Sequence, residues 1–292
     1  MATLRNKALL VKFSVTEFTN EISDPDLSRR VANLVQADDA DSFDSKKKLL
    51  DCPAITKLKK LKGDTRNNLV NPLSAPFEVG RRIMPSALCD QLEHGYAIAK
   101  QKWEDYKIEL RSEIEGAINR AQRRLGDAWK ASDYPSADDI VGKYSMSLTY
   151  QQIPDTEDFR IDNLSHDRNE EIRLDMERGI NQQIEDAMSA IHKRAYDVIS
   201  HLLSVCKNYG HDKDGKVIGR FKDSTVEHVR ALEKLLPVLN MTGDPKLQKV
   251  AQTLSQELKT ITPDGIKNSA GERQRIATVS ESIIADLEGI HV

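Results

Sequence analysis

Apolar residues recur at steps of three and four between Leu88 and Trp129: Leu88, Leu92, Tyr96, Ala99, Trp103, Tyr106, Leu110, Ile114, Ala117, Ala121, Leu125 and Ala128. The mean step is about 3.6 residues, the period of a nearly straight amphipathic helix rather than of a strict heptad coil. No proline interrupts the run. Ser86 is placed to cap its start, and Ser132-Asp133-Tyr134-Pro135 is placed to end it. At ~1.5 Å per residue such a helix spans ~65 Å.

A second run repeats the pattern at Ile172, Met176, Ile180, Ile184, Ala187, Ile191, Ala195, Val198, Leu202 and Val205. Asp167 followed by Glu170 resembles a capping arrangement, and Asn208-Tyr209-Gly210 predicts the stop. Two segments have the two-residue period of half-buried strands instead. In one, Leu9, Val11, Phe13 and Val15 alternate with less apolar residues; in the other, Tyr144, Met146, Leu148 and Tyr150 alternate with Ser145, Ser147 and Thr149. A lone strand leaves backbone donors and acceptors unpaired, so the two are candidates to share a small sheet.

Shorter elements surround these. Asp24-Pro25-Asp26 predicts a turn or cap into a helix over Leu27 to Val35, and Gln36 to Ser45 is an acidic loop. Ile55, Leu58 and Leu61 line one face of a lysine-rich helix. Pro72, Pro76 and Pro85 exclude regular helix from Asn71 to Pro85. The C-terminal third predicts three helices. Ser224 with Glu227 caps the first, which Pro237 kinks or ends; Asp244-Pro245 opens the second; Ser269 with Glu272 caps the last. Leu247, Val250, Leu254, Leu258 and Ile261 form the stripe of the second, and Ile276, Val279, Ile283, Leu287 and Ile290 that of the last.

Together these elements predict a mainly α fold: a long antiparallel helical hairpin with a small mixed α/β head and a C-terminal helical module. The expected divisions are residues 1–84 for the head with its basic helix, 85–210 for the hairpin with an inserted strand at 144–152, and 211–292 for the module. Antiparallel packing of the two long helices would bring Arg120, Arg123 and Arg124 near Asp167, Glu170, Glu171 and Asp175.

Composition narrows the class. Charged residues are 30% of the chain and aromatics 5%, a balance that suits long exposed helices better than a compact α/β enzyme. A net charge of -3 makes no case by itself for nucleic acid or membrane. No apolar run approaches the ~20 residues of a membrane span. The N-terminus lacks a signal-peptide cleavage pattern. Cys52, Cys89 and Cys206 are odd in number and widely spaced, which favours free thiols in a reducing compartment. A cytoplasmic protein is therefore expected, with no membrane partner.

The search for chemistry is mostly negative. No histidine pair has the spacing that puts two metal ligands on one helix face, and no Cys-x-x-Cys occurs. Asp212-Lys213-Asp214-Gly215 lacks the further oxygen ligands of a calcium loop. No phosphate loop, dinucleotide fingerprint or nucleophile elbow is present. No catalytic residue, metal ligand or cofactor is expected. The one suggestive cluster is basic: Lys46-Lys47-Lys48, then Lys57, Lys59, Lys60, Lys62 and Arg66, then Arg81 and Arg82. Phosphate binding needs such clustering, but a solvated helix face has the same composition. No aromatic residue interleaves the lysines, so base stacking has little support. Lys57, Lys59, Lys60, Lys62, Arg66, Arg81 and Arg82 are taken as the candidate surface for a protein or nucleic-acid partner.

The order of these segments carries a resemblance. Ser45-Lys46-Lys47-Lys48-Leu49-Leu50-Asp51 leads into a short helix; Ala75-Pro76-Phe77 and Arg82-Ile83-Met84-Pro85 lead into a long one; the Tyr144 to Ile153 strand and a second long helix follow. This order resembles a family of long-helix proteins from phages and bacteria, often encoded beside a MoxR-type AAA+ ATPase and a von Willebrand A-type protein. The likeness covers most of the chain, through short motifs, and transfers no catalytic residue. It implies a phage or mobile-element protein, an adaptor or a substrate for an ATPase, with the MoxR-type ATPase as the candidate protein partner; the absence of a catalytic constellation makes a non-enzymatic interaction protein the expectation. A homo-oligomer is compatible with the long amphipathic helices. The alternative is a nucleic-acid-binding protein acting through the basic N-terminal surface.

Overall fold

In a computed structural model of the chain, residues 2–156, 161–162, 164–211, 214 and 216–288 are described. In chain order the elements are α1 (Ala2–Arg5), β1 (Ala8–Thr16), β2 (Glu21–Ser23), α2 (Pro25–Leu34), β3 (Lys46–Lys48), α3 (Pro53–Thr65), β4 (Ala75–Glu78), β5 (Arg81–Pro85) and α4 (Cys89–Leu125). They continue with α5 (Ala137–Gly142), β6 (Ser145–Gln151), α6 (His166–Asn208), β7 (Gly210–His211), β8 (Val217–Ile218), α7 (Ser224–Leu239), α8 (Pro245–Thr253), α9 (Pro263–Asn268) and α10 (Ala270–Glu288). The fold is mainly helical, as the periodicities predict, with small antiparallel pairings. Ile290, Asp212, Lys213 and Gly215 lie outside the described residues.

Local chemistry accounts for many of the boundaries. Proline stands at the first turn of α2, α3, α8 and α9, where its missing N–H is no loss. Asp24 Oδ1 accepts from the Asp26 and Leu27 amides, and Asp244 Oδ1 from those of Lys246 and Leu247, so both act as the caps the sequence predicts. Other caps differ. Ser165, not Asp167, caps α6, its Oγ accepting from the Arg168 amide. Ser86 Oγ is turned to the Lys7 carbonyl, and α4 begins after a 3-10 turn over Ser86–Leu88. Pro237 lies inside α7, which runs on to Leu239. The proline-rich stretch opens with a turn and continues as two strands: β4 and β5 pair antiparallel across a turn where Gly80 adopts φ +79°.

The chain folds into two compact units, each built from separated segments. The first comprises Met1–Lys12, Asn71–Asp90 and Tyr150–Val292, the second Phe13–Val70 and Gln91–Thr149. The three consecutive divisions at 1–84, 85–210 and 211–292 differ from this. Long-range strand pairing and burial, which composition along the chain does not encode, decide the grouping.

In the first unit α6 packs against α10, α7 and β4, and α10 also meets α8. The buried positions of α6 include Ile180, Ala187, Met188, Ile191, Ala195, Ile199 and Leu202, close to the expected stripe, but Met176 is exposed and Ile199 takes the place of Val198. Ala8–Val11 of β1 pairs antiparallel with β5, in the register Ala8↔Pro85 to Val11↔Arg82.

In the second unit Trp103, Leu110, Ile114 and Ala117 of α4 join Leu49, Leu50, Ile55, Leu58, Ile140, Tyr144 and Met146 in one core. Fully burying a large apolar side chain of this kind contributes ~1.5–3 kcal/mol. β2 and β3 form a short antiparallel ribbon at its edge. β6 is the neighbour of β1, the association expected from their two-residue periods.

Both long helices of the expected hairpin form, as α4 and α6. Most of the α4 segment, from Gln91, belongs to the second unit and α6 to the first, and each buries its stripe against elements of its own unit. Several of the charges expected to meet across a hairpin have local partners. Arg120 donates to the Asp51 carbonyl and Arg124 to the Lys48 and Leu49 carbonyls. Glu170 pairs with Arg173, Glu171 with Arg168 and Asp175 with Arg178, all one helical turn apart. Amphipathic periodicity states that a stripe must be covered; it does not name the cover.

Candidate functional site

The basic residues singled out by the sequence fall into both units. Lys57, Lys59, Lys60, Lys62 and Arg66 lie on α3 and the π turn over Arg66–Val70 that continues it, in the second unit; Arg81 and Arg82 lie on β5, in the first.

α3 is held by its apolar face: Ala54, Ile55 and Leu58 are buried, and Cys52 lies just ahead of Pro53. The opposite face carries the lysines, but they are not equivalent. Lys57 Nζ is paired with Glu109 and also lies 5.6 Å from the Tyr106 ring centroid. Lys62 pairs with Glu17. Arg66 is exposed and stands over the Phe13 ring at 6.0 Å. Lys59 and Lys60 are exposed, and no ion pair holds either of them among the described residues. The uncompensated charge of this face is thus narrower than the sequence run.

The preceding triplet divides more sharply. Lys46 and Lys48 are exposed and pair with Asp44 and Asp51. Lys47 is 4% exposed. Its Nζ lies 2.9 Å from Asp24 Oδ2, 2.7 Å from Asp133 Oδ2 and 3.0 Å from the Ala128 carbonyl. Burial alone would lower the Lys47 pKa, but the bonds to Asp133 and Asp24 outweigh it and hold the pKa above the ordinary lysine value. The bond from Lys47, with the Leu27 amide, holds the Asp24 carboxyl below its ordinary value against the effect of burial. Lys47 is therefore a buried structural cation, not part of a surface. Beside it, a cleft of about 290 Å³ is lined by Asp24, Asp26, Leu27, Arg29, Arg30, Asp127, Ala128 and Lys130. Its Asp26 already engages Arg29 and Lys130.

A further polar group is sealed in the core of the second unit. Cys52 Sγ donates to Glu113 Oε2 at 2.6 Å. Burial, and then the Glu113 bond, push this thiol up to about 11. The Tyr144 hydroxyl and Trp103 Nε1 are buried with no hydrogen-bond partner, and the Tyr144 pKa rises to about 12, first through burial. A protonated thiol is a poor nucleophile. Among the described residues no group of three His, Cys, Asp or Glu side chains could hold a metal ion.

In the first unit Arg81 pairs with Glu78 across the β4–β5 turn. Arg82 differs. It is half-buried; its Nε donates to Ser74 Oγ at 2.7 Å and its Nη2 to the Ser74 carbonyl at 3.0 Å. Arg194 of α6, which no sequence signal picks out, is also half-buried and reaches the same place. Its Nη1 donates to the Pro72 carbonyl at 2.9 Å and its Nη2 to the carbonyls of Asn71 and Ser74 at 3.0 and 2.7 Å. Two guanidinium groups thus converge on one carbonyl oxygen, and neither forms an ion pair with a carboxylate among the described residues. Arg194 escaped notice because an isolated arginine on a helix has no pattern when its partners are backbone carbonyls 120 residues away.

No helix among the described residues is long and apolar enough to cross a membrane. Comparisons with protein-family models, with curated proteins and with solved structures give no match to this chain.

Proposed function

We propose that the chain is a non-enzymatic interaction protein that meets an acidic protein partner through the exposed face of α3. The observation that carries this is the pair Lys59 and Lys60: both are exposed and outside any ion pair among the described residues, on a helix whose other face is fixed in the core. A rigid support reduces the ordering cost of binding. The resemblance drawn from segment order supports the setting: an adaptor of a phage or mobile element, with a MoxR-type AAA+ ATPase as partner, in the cytoplasm of a bacterial host.

The nucleic-acid alternative has less support. Lys57 and Lys62 are engaged by Glu109 and Glu17, which shortens the row of charge available to a phosphate backbone. Arg81 is likewise engaged by Glu78.

The test is the double variant Lys59→Gln/Lys60→Gln in the full chain, with capture of the purified co-encoded ATPase as the readout. Loss of capture with unchanged circular dichroism supports the reading. Unchanged capture overturns the surface. Failure of the unsubstituted chain to capture the ATPase, together with heparin retention that falls steeply with salt and is lost in the variant, would replace the reading with the nucleic-acid one.

A further inference from the structure

Arg82 and Arg194 form an arrangement that folding alone does not favour. Guanidinium groups stay charged in proteins. Bringing two of them together away from water adds mutual repulsion to the loss of hydration. Burial, and then the neighbouring Arg194 charge, bring Arg82 down to about 10, and burial lowers Arg194 as well. Among the described residues every protein partner they have is neutral: the Ser74 hydroxyl and the carbonyls of Asn71, Pro72 and Ser74. Carbonyl oxygens solvate a cation in part, but they bring no countercharge.

The bonds made also leave donors over. Arg82 Nη1 and Arg194 Nε have no acceptor in the protein among the described residues. Both residues are only half-buried. The opposite edges of the two groups are locked: Arg82 by Ser74 and by its place in β5, opposite Val11 and Pro76, and Arg194 by three carbonyls of the 71–74 turn. What remains is a pair of fixed cations with spare donors and no carboxylate partner among the described residues.

We propose that Arg82 and Arg194 form an oxyanion site that takes a phosphate group, either free phosphate or the phosphoryl group of a monoester. A phosphoryl group carries about -1.5 to -2 charge at neutral pH and three strong acceptor oxygens, so one group can neutralise both arginines. A single carboxylate balances only one of them. Arginine suits this role because its planar fork can bond to an anion on one edge while another edge is held by the protein. The site is in the first unit and is independent of the α3 face in the second, so either reading can fail without the other.

The experiment uses the full chain, observed through the arginine side-chain Nε–H resonances and through thermal unfolding, with chloride added to keep ionic strength constant. Inorganic phosphate is expected to shift the Arg82 and Arg194 resonances saturably and to raise the Tm, while acetate does neither. Arg82→Gln is expected to weaken phosphate binding by about tenfold or more, the effect of losing a charged hydrogen-bonding partner. Should that variant fail to fold, the resonance titration of the unsubstituted chain still decides. O-phosphoserine binding more tightly than inorganic phosphate assigns the site to a phosphoryl group; equal or weaker binding assigns it to the free anion. Absence of a saturable shift at either arginine overturns the proposal, and so does acetate acting as strongly as phosphate.

Discussion

The Nζ of Lys47 lies 2.9 Å from Asp24 Oδ2, with both side chains 3% exposed, and the same carboxylate uses its other oxygen to cap α2. Asp24 therefore ties two tasks together: it starts a helix and neutralises a buried cation. Removing one partner of such a group strands a charge, which costs more than the pair contributes.

Lys47→Met is accordingly expected to destabilise the chain by about 3–5 kcal/mol, because Asp24 and Asp133 lose their shared cation. Asp24→Asn keeps an acceptor oxygen for the cap and leaves Asp133 opposite Lys47, so its cost is smaller, about 1–2 kcal/mol. Asp24 has a lowered folded pKa. Its contribution is complete above the unfolded carboxylate value of about 3.9 and is lost as pH falls through the folded value. Lys47 has a raised folded pKa, so its contribution is complete below about 10.4 and is lost only as pH rises through the folded value. Urea unfolding from pH 7 to pH 2 checks this: the gap between Lys47→Met and the unsubstituted chain should narrow toward acid pH.

Lys47 also marks how far the sequence can be read. Both long helices, the β1 and β6 strands, and the caps at Asp24 and Asp244 were legible, because each depends on residues close together in the chain. Lys46-Lys47-Lys48 read as one basic run, yet β3 places Lys47 inside and its neighbours outside. Strand alternation makes that division, and three lysines in a row hide it. The cover of α6 by α10 was illegible for another reason: any apolar stripe could have served. Arg82 was found by charge clustering, whereas Arg194 was not, since its partners are main-chain carbonyls with no sequence identity.

Cysteine reactivity should follow burial. Cys52 and Cys206 are both buried and both pushed up to about 11, chiefly by burial, whereas Cys89 is partly exposed. At pH 8 a maleimide or disulfide reagent is expected to modify Cys89 first. Cys52 and Cys206 should react only on the timescale of unfolding. Mass spectrometry of peptides after timed labelling gives the order. Fast labelling of Cys52 in the folded chain would contradict its buried position.

Asp244 joins two parts of the first unit. Its Oδ1 caps α8 and its Oδ2 lies 3.2 Å from Nε2 of His192, a 7% exposed residue of α6. Asp244→Ala loses both roles and is expected to cost about 2–3 kcal/mol, one part from the cap and one from the contact. Asp244→Ser retains a capping oxygen but is too short for His192, so it should recover about 1 kcal/mol. Chemical denaturation of the two variants measures the split. Equal losses would show that the His192 contact, not the cap, carries the effect.

Trp103 offers a test of what its indole contributes to the core. The side chain is fully buried, its ring centroid is 6.4 Å from that of Tyr144, and its Nε1 has no hydrogen-bond partner. The residue therefore acts through volume and ring contact, with a buried donor as a cost. Trp103→Ala removes both contributions and leaves a cavity among Leu110, Tyr144 and their neighbours, so a loss of about 3–5 kcal/mol is expected. Trp103→Phe leaves a smaller void, keeps an aromatic face toward Tyr144 and removes the unpartnered N–H. Those effects oppose one another, and a net loss below about 1.5 kcal/mol is expected. Guanidinium unfolding followed by circular dichroism measures both variants. If Trp103→Phe cost as much as Trp103→Ala, the indole N–H would have to be bonding to something, and an ordered water joining it to the Tyr144 hydroxyl would be the first thing to look for.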